Sequence, residues 1–181
     1  GSVTDLHDLK KLVDLTLDKY GRVDALVNNT GHPTKGPLLE ISDSGWHEGL
    51  DLILLNVVRL CRMLVPHMKE QGGGSIVNIS TFAAFEPDLA FPVSNALRAA
   101  LASFTKLFAD QYGEQNIRMN NVLPGFMDTY EVSEEIKNKI PLKRPASTDE
   151  VANAVKFLLS EESSYITGQN LKVDGGITRS V

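Results

Sequence analysis

Short runs of Val, Leu and Ile alternate with long amphipathic stretches along the whole chain, and this constrains its fold more than any other feature. Thr4 or Asp5 caps a helix that carries Leu6, Leu9, Val13, Leu17 and Tyr20 on one face and stops at Gly21. A strand is expected from Val23 to Val27. A long helix is expected from Ser42 to Met68, with Trp46, Leu50, Ile53, Leu54, Val57 and Leu64 turned inward. Gly72-Gly73-Gly74 breaks it, and Ser75 to Ser80 reads as the next strand. Ala90 to Tyr112 is helical and rich in Ala. Arg118 to Leu123 is a third strand and Asn170 to Val173 a fourth. Between them Ser147-Thr148-Asp149-Glu150 forms a capping box that opens a helix to about Ser160. Strands separated by helices of this length pair in parallel through right-handed crossovers. Their near-continuous apolar character fits burial on both faces. The expected class is therefore α/β, a Rossmann-like doubly wound parallel sheet.

Size and charge narrow the function. With 181 residues and 42% hydrophobic content the chain makes one domain with a real core, and no linker or internal repeat divides it. No apolar run is long enough to span a bilayer, so no membrane partner is expected. The net charge of -5 argues against a nucleic-acid surface. The one cysteine, Cys61, sits in an apolar helical stretch and reads as a packing residue in a reducing, cytoplasmic setting. His7, His47 and His67 fall on different helices, and no His, Cys, Asp and Glu grouping has metal-ligand spacing. No Gly-x-Ser-x-Gly elbow is present.

Three segments carry a resemblance. Asn28-Asn29-Thr30-Gly31, after the apolar Ala25-Leu26-Val27, is similar to the Asn-Asn-Ala-Gly turn of the short-chain dehydrogenase/reductase family. Asn121-Val122-Leu123-Pro124-Gly125, followed by Thr129, resembles its Asn-x-x-x-Pro-Gly…Thr segment. Ile166-Thr167-Gly168-Gln169…Val173-Asp174-Gly175-Gly176 resembles its last strand and turn. The order is also the family's. The likeness runs along essentially the whole chain and is greatest to the ketoacyl-reductase-like branch.

What the resemblance implies is a nicotinamide cofactor, NAD or NADP, and a small-molecule carbonyl or alcohol substrate. It implies assembly as a homodimer or homotetramer. By position, Ser2, Val3, Asn29, Thr30, Gly31, Arg98, Pro124, Gly125, Met127 and Thr129 would face the cofactor. The family's Thr-Gly-x-x-x-Gly-x-Gly turn, whose amides bind pyrophosphate, has no counterpart here. Ser2-Val3-Thr4-Asp5 is similar to the Asp-Val-Thr-Asp segment that follows the family's third strand. Residues 1–181 are therefore expected to be a single domain incomplete at its N-terminus.

The family's Ser, Tyr and Lys are the next question. An ungapped register places Thr81 at the Ser position, Ser94 at the Tyr position and Arg98 at the Lys position. Arg98-Ala-Ala-Leu-Ala-Ser-Phe-Thr-Lys106, similar to the family's Lys-Ala-Ala-Leu-x-x-Phe-Thr-x, favours it. The other register sets Phe91 to Asn95 on Tyr-x-x-x-Lys and needs a deletion. In the ungapped register Ile53 stands where the family has a catalytic Asn. Neither register supplies a phenol, since no tyrosine lies between Tyr20 and Tyr112 and no lysine between Lys69 and Lys106. An aliphatic hydroxyl ionises far less readily than a phenol of pKa about 10. A guanidinium holds charge without relaying protons. His32 and Tyr130 are the remaining proton-transfer candidates.

Three readings follow. One is an NAD(P)-linked carbonyl/alcohol oxidoreductase with altered catalytic residues. The second is a catalytically silent member that acts by binding or by pairing with a partner. The third is a cofactor-independent lyase of the halohydrin-dehalogenase type, which carries Arg at the Lys position but keeps its Tyr.

Overall fold

The computed structural model describes residues 1–180 and shows the expected class. Strands β1 (Ala25–Asn28), β2 (Gly74–Ile79), β3 (Ile117–Pro124) and β4 (Asn170–Val173) form one sheet in the order β1-β2-β3-β4. Every pairing is parallel. Helix α1 (Leu6–Tyr20) is capped by Asp5, whose carboxylate accepts from the Asp8 amide at 3.0 Å, and it ends at Gly21 with φ 72°. The long expected helix is present from Asp43 to Glu70, but as α2 (Asp43–Leu50), a π-helical turn at Asp51–Leu55 and α3 (Asn56–Glu70). Helix α4 (Pro92–Tyr112) follows β2. A short helix, α5 (Glu134–Lys139), was not expected; its six residues are nearly all polar and carry no periodic apolar face. Helix α6 (Thr148–Leu159) has the capping box, with Ser147 and Glu150 each accepting from the other's amide. Strand β1 begins two residues later than expected: the Asp24 carbonyl accepts from the Ser75 amide at 2.9 Å, but the paired register starts at Ala25.

Successive residues of the strands feed opposite layers, as a pleated strand requires. Ile76, Ile117 and Met119 pack with α1, α3 and α4 in a core that includes Leu9, Val57, Leu64, Met68, Leu101 and Phe108. Val77 and Val122 point the other way, against Val151 and Leu158 of α6. Each such fully buried side chain contributes about 2 kcal/mol. Gly49 lets α2 and α4 approach closely, since a Cβ there would lie 2.4 Å from Val93 Cγ1. Cys61 is buried with its thiol pushed up to about 12 by desolvation, so it is a packing residue.

A chain of amides crosses the sheet. Asn28, Asn78, Asn121 and Asn170 stand in register on the four strands. Asn28 Nδ2 donates to Asn78 Oδ1 at 2.8 Å, Asn78 Nδ2 to Asn121 Oδ1 at 2.9 Å, and Asn121 Nδ2 to Asn170 Oδ1 at 2.8 Å. Thr105 of α4 joins through its hydroxyl, which donates to Asn121 Oδ1 at 2.9 Å. These groups are buried, so satisfying one another avoids a desolvation cost that each would otherwise carry alone.

Two features of the α6 side position the site. The outer edge of β1 pairs with no strand among the described residues. Val27, on the α6 face of that strand, is 44% exposed because α6 covers only the β2, β3 and β4 end. No described helix is long and apolar enough to cross a membrane.

Candidate functional site

A cleft of about 890 Å³ lies at the C-terminal ends of β1, β2 and β3, between the first turns of α4 and the inner face of α6. Crevices at this end of parallel sheets are where such folds bind ligands. Thr81, Ser94 and Arg98 all line it, so the structure brings together the three residues expected to replace the catalytic set. Asn29, Thr30, Pro124, Gly125, Met127 and Thr129 also line it, along with His32 and Tyr130. Ser2, Val3 and Gly31 do not. The Ser2 amide donates to Asp8 at 2.7 Å and Val3 packs against the larger core, which ties both to the start of α1.

The placement of the three follows from local structure. Thr81 lies just past the end of β2 and caps a single 3-10 turn, Phe82–Ala84; its Oγ1 accepts from the Ala83 amide at 3.3 Å. The hydroxyl proton is left to donate to a ligand oxygen. Pro92 opens α4 with its pre-set φ. Ser94 and Arg98 lie one helical turn apart, and Arg98 Nε donates to Ser94 Oγ at 3.2 Å. Arg98 Nη1 donates to the Ile79 carbonyl at 2.6 Å. Both residues are 5% exposed. Burial pulls the guanidinium pKa down to about 10, which leaves it charged at neutral pH.

His32 tilts against the Phe91 ring at 6.0 Å, and Lys35 lies 4.6 Å from the centroid of the same ring. Its pKa is lowered by burial first, then by the charges of Lys35 and Arg98. The shift favours the uncharged imidazole, whose free nitrogen can accept a proton. Ile53 is 2% exposed and belongs to the core. The π-helical turn persists around it, and such turns often mark functional positions. Here it presents no polar group to the cleft, since its one polar residue, Asp51, pairs with Arg59 at 2.6 Å.

Several lining residues escaped the sequence reading. Val151, Val155, Leu159 and Lys156 of α6 wall one side, and Ser80 and Asp88 line the cleft with Asn95, which the gapped register had set at the Lys position. A helical face with Val151, Val155 and Leu159 is the same in sequence whether it meets a core or a ligand. Ser80 Oγ and Asn95 Oδ1 are buried without a hydrogen-bond partner. No signal in the sequence marks an unsatisfied atom, because satisfaction depends on groups brought from elsewhere. No cluster of His, Cys, Asp and Glu among the described residues could hold a metal.

The family model described as Enoyl-(Acyl carrier protein) reductase matches residues 1–178. The chain is 36% identical over 183 residues to 3-oxoacyl-(acyl-carrier-protein) reductase FabG of Thermotoga maritima, covering 97% of this chain and 74% of FabG. The chain belongs to the short-chain dehydrogenase/reductase family. It is 36% identical over 189 residues to the 7alpha-hydroxysteroid dehydrogenase of Bacteroides fragilis, covering 98% of this chain and 73% of that protein. It is 32% identical to human dehydrogenase/reductase SDR family member 4, covering 94% of this chain and 65% of that protein. The crystal structure of L-sorbose reductase from Gluconobacter frateurii, complexed with NADPH and L-sorbose, superposes with a TM-score of 0.93 at 30% identity. That match covers 99% of this chain and 76% of the reductase. The short-chain dehydrogenase/reductase fold is thus present from α1 to β4, and the relatives are longer than the stretch matched.

A nicotinamide cofactor fits part of this site. The orphaned Ser80 hydroxyl, the Asn29-Thr30 turn and Thr129 offer polar groups at the strand ends, where a ribose and its ring would lie. Beside them, Val27 and Ile79 leave an uncovered apolar floor. No glycine-rich turn entering a helix, the cradle that a pyrophosphate needs, exists among the described residues.

Proposed function

We propose that this chain is the substrate-side portion of an NAD(P)-linked carbonyl/alcohol oxidoreductase whose catalytic Ser, Tyr and Lys are replaced by Thr81, Ser94 and Arg98. The observation that carries the reading is their convergence at the strand-end cleft, with no phenol among the α4 residues that line it. Bound nicotinamide supplies or accepts hydride. Thr81 donates to the substrate oxygen, and Arg98 stabilises the negative charge that grows there. Neutral His32 accepts the alcohol proton in the oxidative direction. Ser94, whose oxygen is held by Arg98 Nε, orients the guanidinium. Residues 1–181 form one domain in this reading. The free edge of β1 and the uncovered Val27 support its completion by further strands and helices on that side. A cytoplasmic homodimer or homotetramer belongs to the same reading, and light scattering tests the assembly.

The test is a titration of NADPH and NADH, followed by nicotinamide fluorescence, and then turnover of a panel of ketones and alcohols by the full-length protein. Saturable binding with turnover that falls at least about a hundredfold in Thr81→Ala supports it. No change in fluorescence up to millimolar cofactor would exclude it. A second reading, a silent member that binds without turnover, is favoured by one observation: Ser94 is buried and its oxygen is already engaged. Binding of cofactor with no turnover of any substrate selects that reading. The lyase reading loses support, since Ser94 stands where its phenol would be.

A further inference from the structure

Arg98 is a buried cation without a counter-ion. Two of its five N–H groups have acceptors, Ser94 Oγ and the Ile79 carbonyl. The other three have none among the hydrogen bonds of the described residues, and no ion pair there includes Arg98. The only carboxylate lining the cleft among those residues is Asp88, and its Oδ1 takes the Ala90 amide at 2.8 Å. The other charged or titratable neighbours are His32, Tyr130 and Lys156 on the cleft wall and Lys35 against Phe91. The cleft is therefore cationic in a chain of net charge -5.

Burying a guanidinium without a partner is costly. The cost is recovered when an anion enters, because a planar fork of N–H donors matches an oxyanion bidentately. Asn95 adds a second requirement. Its Nδ2 donates to the Asp88 carbonyl at 2.7 Å, while Oδ1 is buried with no donor. A ligand hydroxyl beside the anionic group would satisfy it.

We propose that the cleft takes a ligand bearing a compact oxyanion, a carboxylate or phosphate group with a neighbouring hydroxyl, held by the unused N–H groups of Arg98 and by Asn95 Oδ1. This deepens the oxidoreductase reading by giving the substrate a charge, and it rests on that reading only for calling the ligand a substrate. The binding itself is tested without cofactor. The folded chain is titrated at constant ionic strength with glycolate, with inorganic phosphate, and with ethylene glycol as the uncharged control. Binding is read by calorimetry and by the rise in Tm.

Saturable binding of glycolate or phosphate, with ethylene glycol at least about tenfold weaker, is the expected result. Stronger glycolate binding identifies a carboxylate ligand, and stronger phosphate binding a phosphorylated one. Arg98→Met abolishes the preference, whereas Arg98→Lys retains part of it. Far-UV circular dichroism checks that both variants are folded, and if Arg98→Met is not, Arg98→Gln replaces it. Equal binding of glycolate and ethylene glycol, absence of binding by either anion, or unchanged anion binding in a folded Arg98→Met or Arg98→Gln variant overturns the proposal. Absence of anion binding with cofactor binding and turnover of neutral ketones intact would remove this inference and leave the oxidoreductase reading standing.

Discussion

Two buried arginines sit at opposite ends of the sheet, and they differ in what surrounds them. Arg118 lies near the start of β3. Its Nη1 donates to the Leu158 carbonyl at 2.9 Å, to Ser163 Oγ at 3.1 Å and to the Ile166 carbonyl at 3.3 Å, and its Nη2 to the Ser160 carbonyl at 3.1 Å. Leu158 and Ser160 end α6, so the cation also meets the negative end of that helix. Arg98, at the other end of the sheet, has two acceptors and no helix terminus of suitable sign. Burial lowers the pKa of both, and nearby Glu161 partly offsets this for Arg118 alone. A saturated buried arginine holds the fold together; an unsaturated one is kept at a cost that some other purpose must justify.

The largest expected effect follows from the saturated side. Arg118→Met removes four charge-assisted hydrogen bonds at once, although the carbonyls of Leu158, Ile166 and Ser160 each keep a second donor in Ser75, Asn120 and Ser163, and it should destabilise the chain by about 3 to 5 kcal/mol in urea unfolding. A loss under about 1 kcal/mol would mean that water replaces the guanidinium readily, and the contrast with Arg98 would weaken.

Asn78→Leu comes next. It breaks the amide chain at its centre, leaving Asn28 and Asn121 short of partners and crowding Thr105. About 2 to 4 kcal/mol is expected from the same unfolding experiment.

That ladder also shows how far the sequence could be read. The capping box at Ser147 and the Asp5 cap were legible because their partners lie within one helical turn. The ladder was not, because its links join residues 50, 43 and 49 apart in the chain. One faint signal existed: each strand run contains an Asn, at or near an end in β1, β2 and β4 and in the middle of β3. The site divides in the same way. The pattern downstream of Arg98 identified Thr81, Ser94 and Arg98, and the cleft contains all three. The gapped register had named Asn95, but the unsatisfied atoms of Ser80 and Asn95 were invisible, since such an atom is defined by what the rest of the fold fails to bring to it. Ser2 and Val3 were placed by motif alone, and the cap of α1 accounts for Ser2.

Arg98→Met should behave differently from Arg118→Met. Removing an unpaired buried charge changes stability by about 1 kcal/mol or less, in either direction, while removing anion binding. A pH series sharpens this. The folded pKa of Arg98, about 10, lies below that of a free guanidinium, so the unfolded chain binds more protons over the pH range above about 10. Wild-type stability relative to Arg98→Met therefore rises with pH across that window and is lower beneath it. A difference that instead falls as pH rises would show that the guanidinium is stabilised in the fold, contrary to the contrast with Arg118.

The smallest effect is expected where an arginine works in the open. At the other end of α6, Arg144 pairs with Glu150, Nη1 to Oε2 at 2.8 Å and Nη2 to Oε1 at 2.7 Å. Glu150 also accepts the Ser147 amide at 2.9 Å. The Arg144 hydrogen bonds first, and the Ser147 amide second, hold its carboxyl at about 2, well below the ordinary 4.5. Its contribution is thus complete above pH 4.5 and is lost as pH falls through about 2. Both partners are exposed and screened by water, so Glu150→Gln should lower Tm by only a few degrees near neutral pH, with the deficit vanishing below about pH 2. One helix then carries both cases. Its C-terminal end depends on a buried arginine that meets four acceptors, and its N-terminal end on an exposed one that water could largely replace. If Glu150→Gln proved as damaging as Arg118→Met, burial would not be what separates the strong arginine from the weak one, and the argument for a ligand at Arg98 would lose its footing.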